Sequence, residues 1–212
     1  MFTINRSNIE KISKDLDAKK KAGKTNKIVF DTFKLSILNL IENIEDYLVY
    51  DMAHWINNVD RWIKNNSSRN TTKYKRGTIA ILDLGSQNFR YEPSYSHPCV
   101  ILVNKEDHIL VVPCSSKKFG KGYSDVIDAD KTNGFSSNTG VQIESYRWVN
   151  KNRVISVVGN VDNLLLNKID DWILQTIPSH KLEISKLQSE IEELKRKLCE
   201  ANNSTSENDR QE

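Results

Sequence analysis

Three short apolar runs, IAILDL (residues 79–84), PCVILV (98–103) and HILVVPC (108–114), lie close together in the middle of the chain. Each is rich in β-branched residues and bounded by Gly, Pro, Asn or Asp, which is the pattern of strands that pair with near neighbours in a small antiparallel barrel. The loop between the first two is too long for a hairpin turn and holds Arg90, Tyr91, Glu92, Tyr95, Ser96 and His97. The third run empties into Cys114-Ser115-Ser116-Lys117-Lys118. No other part of the sequence gathers so many chemically capable side chains. A charged and aromatic loop on a compact β scaffold is where function is usually mounted.

Further strands are expected at Tyr123–Ile127, Val141–Ile143 and Arg153–Val158, around the loop KTNGFSSNTG. Asp162 or Asn163 then caps a helix through Ile177, which Pro178 ends. Its apolar residues Leu165, Leu166, Ile169, Trp172 and Ile173 suit packing on the barrel. The fold class is therefore α+β, with the barrel domain at 74–177 and helical additions on both sides. Upstream, residues 5–22 read as a short helix, with Lys19, Lys20, Lys21 and Lys24 as its solvated end. Residues 31–64 read as one long amphipathic helix, because Ile37, Leu40, Ile41, Ile44, Leu48, Met52, Trp55, Val59 and Trp62 step by three and four. Such a stripe has to be covered by the barrel or by another subunit. His54 lies beside it and reads as structural. The polar run NNSSRNTT (65–72) marks a linker, closing a helical extension at 1–70.

Beyond Pro178, Ile184, Leu187, Ile191, Leu194 and Leu198 alternate spacings of three and four, with Ile leading and Leu following. That choice favours a parallel two-stranded coiled coil over about 179–200, the alternative being a helix folded back on its own chain. Residues 201–212 (ANNSTSENDRQE) read as disordered.

Composition limits the function classes. With 31 Lys and Arg against 28 Asp and Glu, the net charge of +3 permits a polyanion partner without demanding one. Three cysteines, Cys99, Cys114 and Cys199, are an odd count with no CxxC spacing. A disulfide scaffold and a thiolate zinc site are both disfavoured, no metal or cofactor is implied, and a reducing compartment fits. The N-terminus lacks the apolar stretch of a leader and no run approaches a membrane span, so the expectation is a cytoplasmic protein without membrane attachment. Gly120, Lys121 and Gly122 lack the spacing of a phosphate-binding Walker loop.

Four features in order resemble the MazF/PemK-like toxins of type II toxin-antitoxin systems. They are the opening KYKRGTIAILDL; Glu92 followed five residues later by a polar residue and Pro98; the strand PCVILVN; and VVPCSSKKFGKGYSDV. The resemblance covers about Tyr74 to Ile177 and leaves the terminal helices outside. It implies an SH3-like barrel, usually a homodimer, that cuts single-stranded RNA without metal and is held in check by an antitoxin protein. The implied chemistry is attack of a ribose 2′-hydroxyl on the adjacent phosphate, which calls for a base, an acid and donors to the charge developing on phosphorus.

In this family a Thr or Ser after the third strand and an Arg before the proline do most of that work. The first position is Ser115 here, with Ser116 beside it. The second is His97, a departure from the family. An imidazole is not permanently charged and lacks the planar fork with which arginine grips phosphate. Either His97 is the acid–base group of the site, or the charge clamp is lost and the domain binds without cutting. Arg90, Lys117 and Lys118 are the available replacements for the charge. Glu92 is the candidate to orient His97 or assist proton transfer. Tyr91, Tyr95 and Phe119 are candidates to stack on unpaired bases. Cys99 and Cys114 read as small core residues.

Overall fold

The computed structural model describes residues 1–208, with side chains described as far as Cys199. The chain divides into two compact units, residues 1–60 and the chain from Arg61 onward.

In the first unit, α1 (Arg6–Ser13) starts where Asn5 accepts the Asn8 N–H at 3.0 Å. It is shorter than expected. Beyond Ser13 the Asp residues favour turns, with Ala18 N–H bonded to Asp15 O and Lys20 N–H to Asp17 O. α2 (Lys27–Ile44) is capped by Asn26, which accepts the Val29 N–H at 3.2 Å. α3 (Val49–Asn65) follows after a break.

That break corrects the single helix expected over 31–64. Asn43 and Asp46 are poor helix formers, and Asn43 turns its amide back onto Asn39 O at 2.6 Å. Ile44 and Leu48 are still four residues apart, so the apolar spacing runs through the break undisturbed. Neither α2 nor α3 contains a buried residue, and Trp62 is 64% exposed.

The second unit carries an antiparallel sheet: β1 (Thr78–Asp83), β2 (Ser96–Asn104), β3 (His108–Ser115), β4 (Val126–Ala129), β5 (Thr139–Gln142), β6 (Arg147–Asn150) and β7 (Val154–Asn160). The three apolar runs of the sequence are β1, β2 and β3. β6 went unforeseen because RWVN is short and three of its four residues are polar or large and exposed. The path runs β4-β5-β3-β2-β1-β7, with β6 on β3 beside β5, and no ladder joins its ends among the described residues. The sheet is thus open where a closed barrel was expected.

Its central strands bury both faces. One face, with Ile79, Val100, Leu102, Val112 and Val141, is covered by Leu165, Leu166 and Ile169 of α4 (Asn163–Thr176). The other gathers Ala80, Leu82, Cys99, Ile101, Ile109, Val111 and Val149. The 65–72 segment, expected as a linker, is fastened to the sheet: Asn70 N–H donates to Asn152 Oδ1 at 3.0 Å, and Arg69 pairs with Asp107 at 2.9 Å and with Glu106.

Pro178 ends α4 and also opens α5 (Pro178–Asn208), since its missing N–H costs nothing in a first turn. The heptad residues Leu187, Ile191, Leu194 and Leu198 are 49–64% exposed. Residues 209–212 of the tail expected to be disordered lie outside the described residues. Among the described residues no helix is long and apolar enough to cross a membrane.

Asp162 is the N-cap of α4, accepting the Leu165 N–H at 2.7 Å. That bond, aided by the Asn133 side chain, holds its carboxyl below the ordinary value of 3.8. A depressed pKa contributes stability that is complete above the ordinary value and fades as pH falls through the folded one. Asp162→Ala should cost about 1 kcal/mol near neutral pH, and thermal melts of the two proteins should converge as pH falls below the ordinary carboxylate value.

Candidate functional site

His97 enters the sheet one residue after β2 begins, directly across from Leu82 of β1. On its other side β2 pairs with β3, with Cys99 opposite Pro113 and Val100 opposite Val112. The same register carried two residues further sets His97 opposite Ser115. Ser115 in turn pairs with Gly140 of β5. Residues directly opposite in an antiparallel sheet share a face, so Leu82, His97, Ser115 and Gly140 form one row across four strands.

The imidazole is half buried, and its Nδ1 lies 3.0 Å from the Cys114 carbonyl. A carbonyl can only accept, so Nδ1 carries the hydrogen and Nε2 is left with its lone pair in the neutral ring. Among the described residues Nε2 has no hydrogen-bond partner. The Cys114 carbonyl therefore does the orienting expected of Glu92.

Glu92 instead accepts the N–H of Phe89 at 3.4 Å within its own loop. That loop is closed at its neck by Leu84 N–H to Tyr95 O at 2.8 Å and Tyr95 N–H to Gly85 O at 2.6 Å. Inside it, the Asn88 amide donates to Leu84 O and Pro93 O. Arg90 and Tyr95 adopt left-handed backbone, with φ of 44° and 65°. For residues with a Cβ this is strained, and it persists only where surrounding bonds enforce it. Arg90 and Tyr91 are exposed at the loop tip, while Tyr95 is half buried beside the strand.

Ser116, Lys117 and Lys118 form a single helical turn directly after β3. The turn is seated on Gly140: a Cβ there would come within 2.8 Å of Val126 and 2.9 Å of the Lys118 backbone. Downstream, Asp128 accepts the Gly120 N–H at 3.0 Å, and the Lys118 ammonium lies 5.1 Å from the centre of the Tyr123 ring. The hydroxyls of Ser115 and Ser116 and the ammonium of Lys117 make no hydrogen bond or ion pair among the described residues. Hydrogen-bond donors thus face outward around His97.

Sequence reasoning passed over Asp83, Arg61, Arg153 and Arg147. Asp83 is 3% exposed at the mouth of the 84–95 loop, where its carboxylate meets Arg61 and the Gly85 N–H at 3.1 Å. Arg153 donates to the Asp83 carbonyl at 3.0 Å. An acidic residue closing an apolar strand was the available signal for Asp83. Nothing local marked the arginines. Burial pushes the Cys114 thiol up to about 12 and the Cys99 thiol well above its ordinary value, so neither is a nucleophile. Among the described residues no group of three His, Cys, Asp or Glu side chains is placed to hold a metal ion.

Residues 75–177 match the family model described as "PemK-like, MazF-like toxin of type II toxin-antitoxin system". This segment belongs to that family. Solved structures similar to the MazF-like segment include the Mycobacterium tuberculosis toxin MazF-mt6, at 13% identity over 44% of this chain and 89% of that one, with a TM-score of 0.35. Another is an endoribonuclease in complex with its cognate antitoxin from a mycobacterial species, at 16% identity over 48% and 90%, with a TM-score of 0.36. No curated protein matches the chain in sequence. The MazF-like segment contains the whole sheet and α4, so the row from Leu82 to Gly140 lies inside it.

Gly140→Ala tests how the serine–lysine turn of this MazF-like domain is held. The added methyl meets backbone that cannot swing aside, and the variant should lose about 1–3 kcal/mol, with NMR shift changes concentrated at Ser116–Lys118. An unchanged melt would show that the turn is not seated there.

Proposed function

We propose that the domain is the toxin of a type II toxin-antitoxin pair and acts as a metal-independent, sequence-specific endoribonuclease on single-stranded RNA. The observation that carries this reading is the contact of His97 Nδ1 with the Cys114 carbonyl, one residue before Ser115, which commits Nδ1 and leaves Nε2 open beside the serine. In the reaction, Nε2 takes the proton of a ribose 2′-hydroxyl as its oxygen bonds to phosphorus. The Ser115 hydroxyl donates to a non-bridging oxygen, and the bond from phosphorus to the 5′ oxygen breaks. The products are a cyclic phosphate and a 5′-hydroxyl, whose proton comes from water, and the proton held on Nε2 passes to the hydroxide so formed, which restores neutral His97. Phosphates of the strand are bound by Ser116, Lys117, Lys118 and Arg90, while Tyr91 and Tyr95 stack on bases and Glu92 assists from the loop.

The family description names a toxin-antitoxin system, which supports an antitoxin protein as partner. The exposed seam of α5, with Ile leading and Leu following, supports a homodimer joined by a parallel coiled coil. An RNA target and three free cysteines fit a reducing cytoplasm.

A second reading, an RNA- or protein-binding module without turnover, is favoured by one observation: the family's arginine is replaced by His97. One assay separates the two. Purified protein incubated with single-stranded RNA in EDTA should cut it, leaving 5′-hydroxyl ends. His97→Ala should lower kcat by at least about 100-fold and flatten the pH–rate profile, and Ser115→Ala should lower kcat without that flattening. RNA that is bound but left intact supports the binding module, and RNA neither bound nor cut removes both readings.

A further inference from the structure

Arg147 is a half-buried cation with no ion-pair partner among the described residues. It stands at the start of β6, directly across from Val111 of β3, and Ile101 of β2 lies across from Val111 on the other side. Two residues further along β6, Val149 pairs with Ile109, and both belong to the core that contains Cys99, Ile101 and Val111. Arg147 therefore rises on the same sheet face as His97 and Ser115. Trp148, its neighbour, is turned to the other face and is half exposed.

Along β3 the register places Arg147 four residues from Ser115, a displacement of roughly 13 Å at strand rise. A few nucleotides of extended strand cover that distance. Arg147 as a residue is half buried. Its one hydrogen bond among the described residues is from Nε to Ser145 O at 3.4 Å, and neither Nη nitrogen meets a carboxylate. By contrast Arg61, Arg69 and Arg76 are each matched to an acid. Arg147 also reaches toward the site: its charge opposes the burial that raises the thiol of Cys99, which lies between it and His97. Taking a guanidinium partly out of water without an anion is unfavourable, and a phosphate oxygen pair is the acceptor its planar fork matches.

We propose that Arg147 is a phosphate-binding residue of the RNA site, gripping a backbone phosphate that flanks the cleaved linkage and supplying the permanent positive charge that His97 does not. This rests on the reading of the domain as an RNA-acting protein. It divides the work between two places on one face. The imidazole is free to exchange protons because the fixed charge is carried elsewhere. Arg147 is accordingly a positioning residue, and its loss acts on binding more than on turnover.

The test is equilibrium binding of single-stranded RNA to the full chain over a salt series, with cleavage kinetics alongside. Arg147→Gln should reduce the slope of log K against log salt by about 0.7, the share of one phosphate contact on a single strand. KM should rise while kcat stays within a few-fold of its original value. Arg147→Lys should keep the slope, because an ammonium still neutralises a phosphate. Lys168→Ala removes one charge at an exposed position of α4 and should change nothing beyond a small uniform weakening. The inference is overturned if Arg147→Gln leaves the slope intact, if Lys168→Ala lowers it equally, or if Arg147→Lys behaves like Arg147→Gln with an unchanged melting temperature. Those outcomes leave the nuclease reading standing. A natural protein that neither binds nor cuts RNA ends that reading and this inference together.

Discussion

The register of β2 on β3 is the constraint on which the site depends. Val100 and Val112 face one core while Cys99, Ile101 and Val111 face the other. A slip of one residue would exchange the faces of every side chain on the strand. It would carry His97 away from Ser115 and bury polar groups against α4. Because both faces are packed with fully buried aliphatic residues, that slip is costly in two cores at once. The bond from His97 Nδ1 to the Cys114 carbonyl then transfers this rigidity to the imidazole.

Around that row the protein keeps acids occupied and donors open. Asp83, the buried carboxylate beside the loop, is held by Arg61 and by its own turn. Asp128 is spent on the Gly120 N–H and Glu92 on the Phe89 N–H. The outward groups left are hydroxyls, ammonium groups and guanidinium groups, which suit a polyanion in both charge and hydrogen-bond sense. Strain lies in the same region, since left-handed backbone at Arg90 and Tyr95 costs on the order of 1–3 kcal/mol each. The double hydrogen bond at the loop neck offsets that cost and fixes where β2 begins.

The helical additions obey a different logic. α4 gives Leu165, Leu166 and Ile169 to a core, whereas α2, α3 and the heptad stretch of α5 leave most of their apolar side chains exposed. Apolar faces of this extent on a single chain mark surfaces for association. The family segment does not include them, so they distinguish this chain from the domain it contains.

Much of this was legible in the residues. Short β-branched runs between turn formers can only be neighbouring strands, so β1, β2, β3 and β7 were placed nearly to their ends. Apolar spacing behind an Asp-Asn pair fixed α4 and left its cap to one of the two, which the fold gives to Asp162. Motif order pointed to His97 and Ser115. What local pattern could not carry was anything decided by a distant partner. The break between α2 and α3 hides in spacing that a turn preserves, and β6 exists only because β3 offers it an edge. Arg147 is one more surface arginine until the ladder puts it across from Val111. What rests on residue type and spacing was therefore written in the sequence. The tautomer of His97, the seat of the lysine turn on Gly140 and the company of Arg147 were settled by strand pairing, because hydrogen bonds and shared faces depend on register, which no single strand encodes.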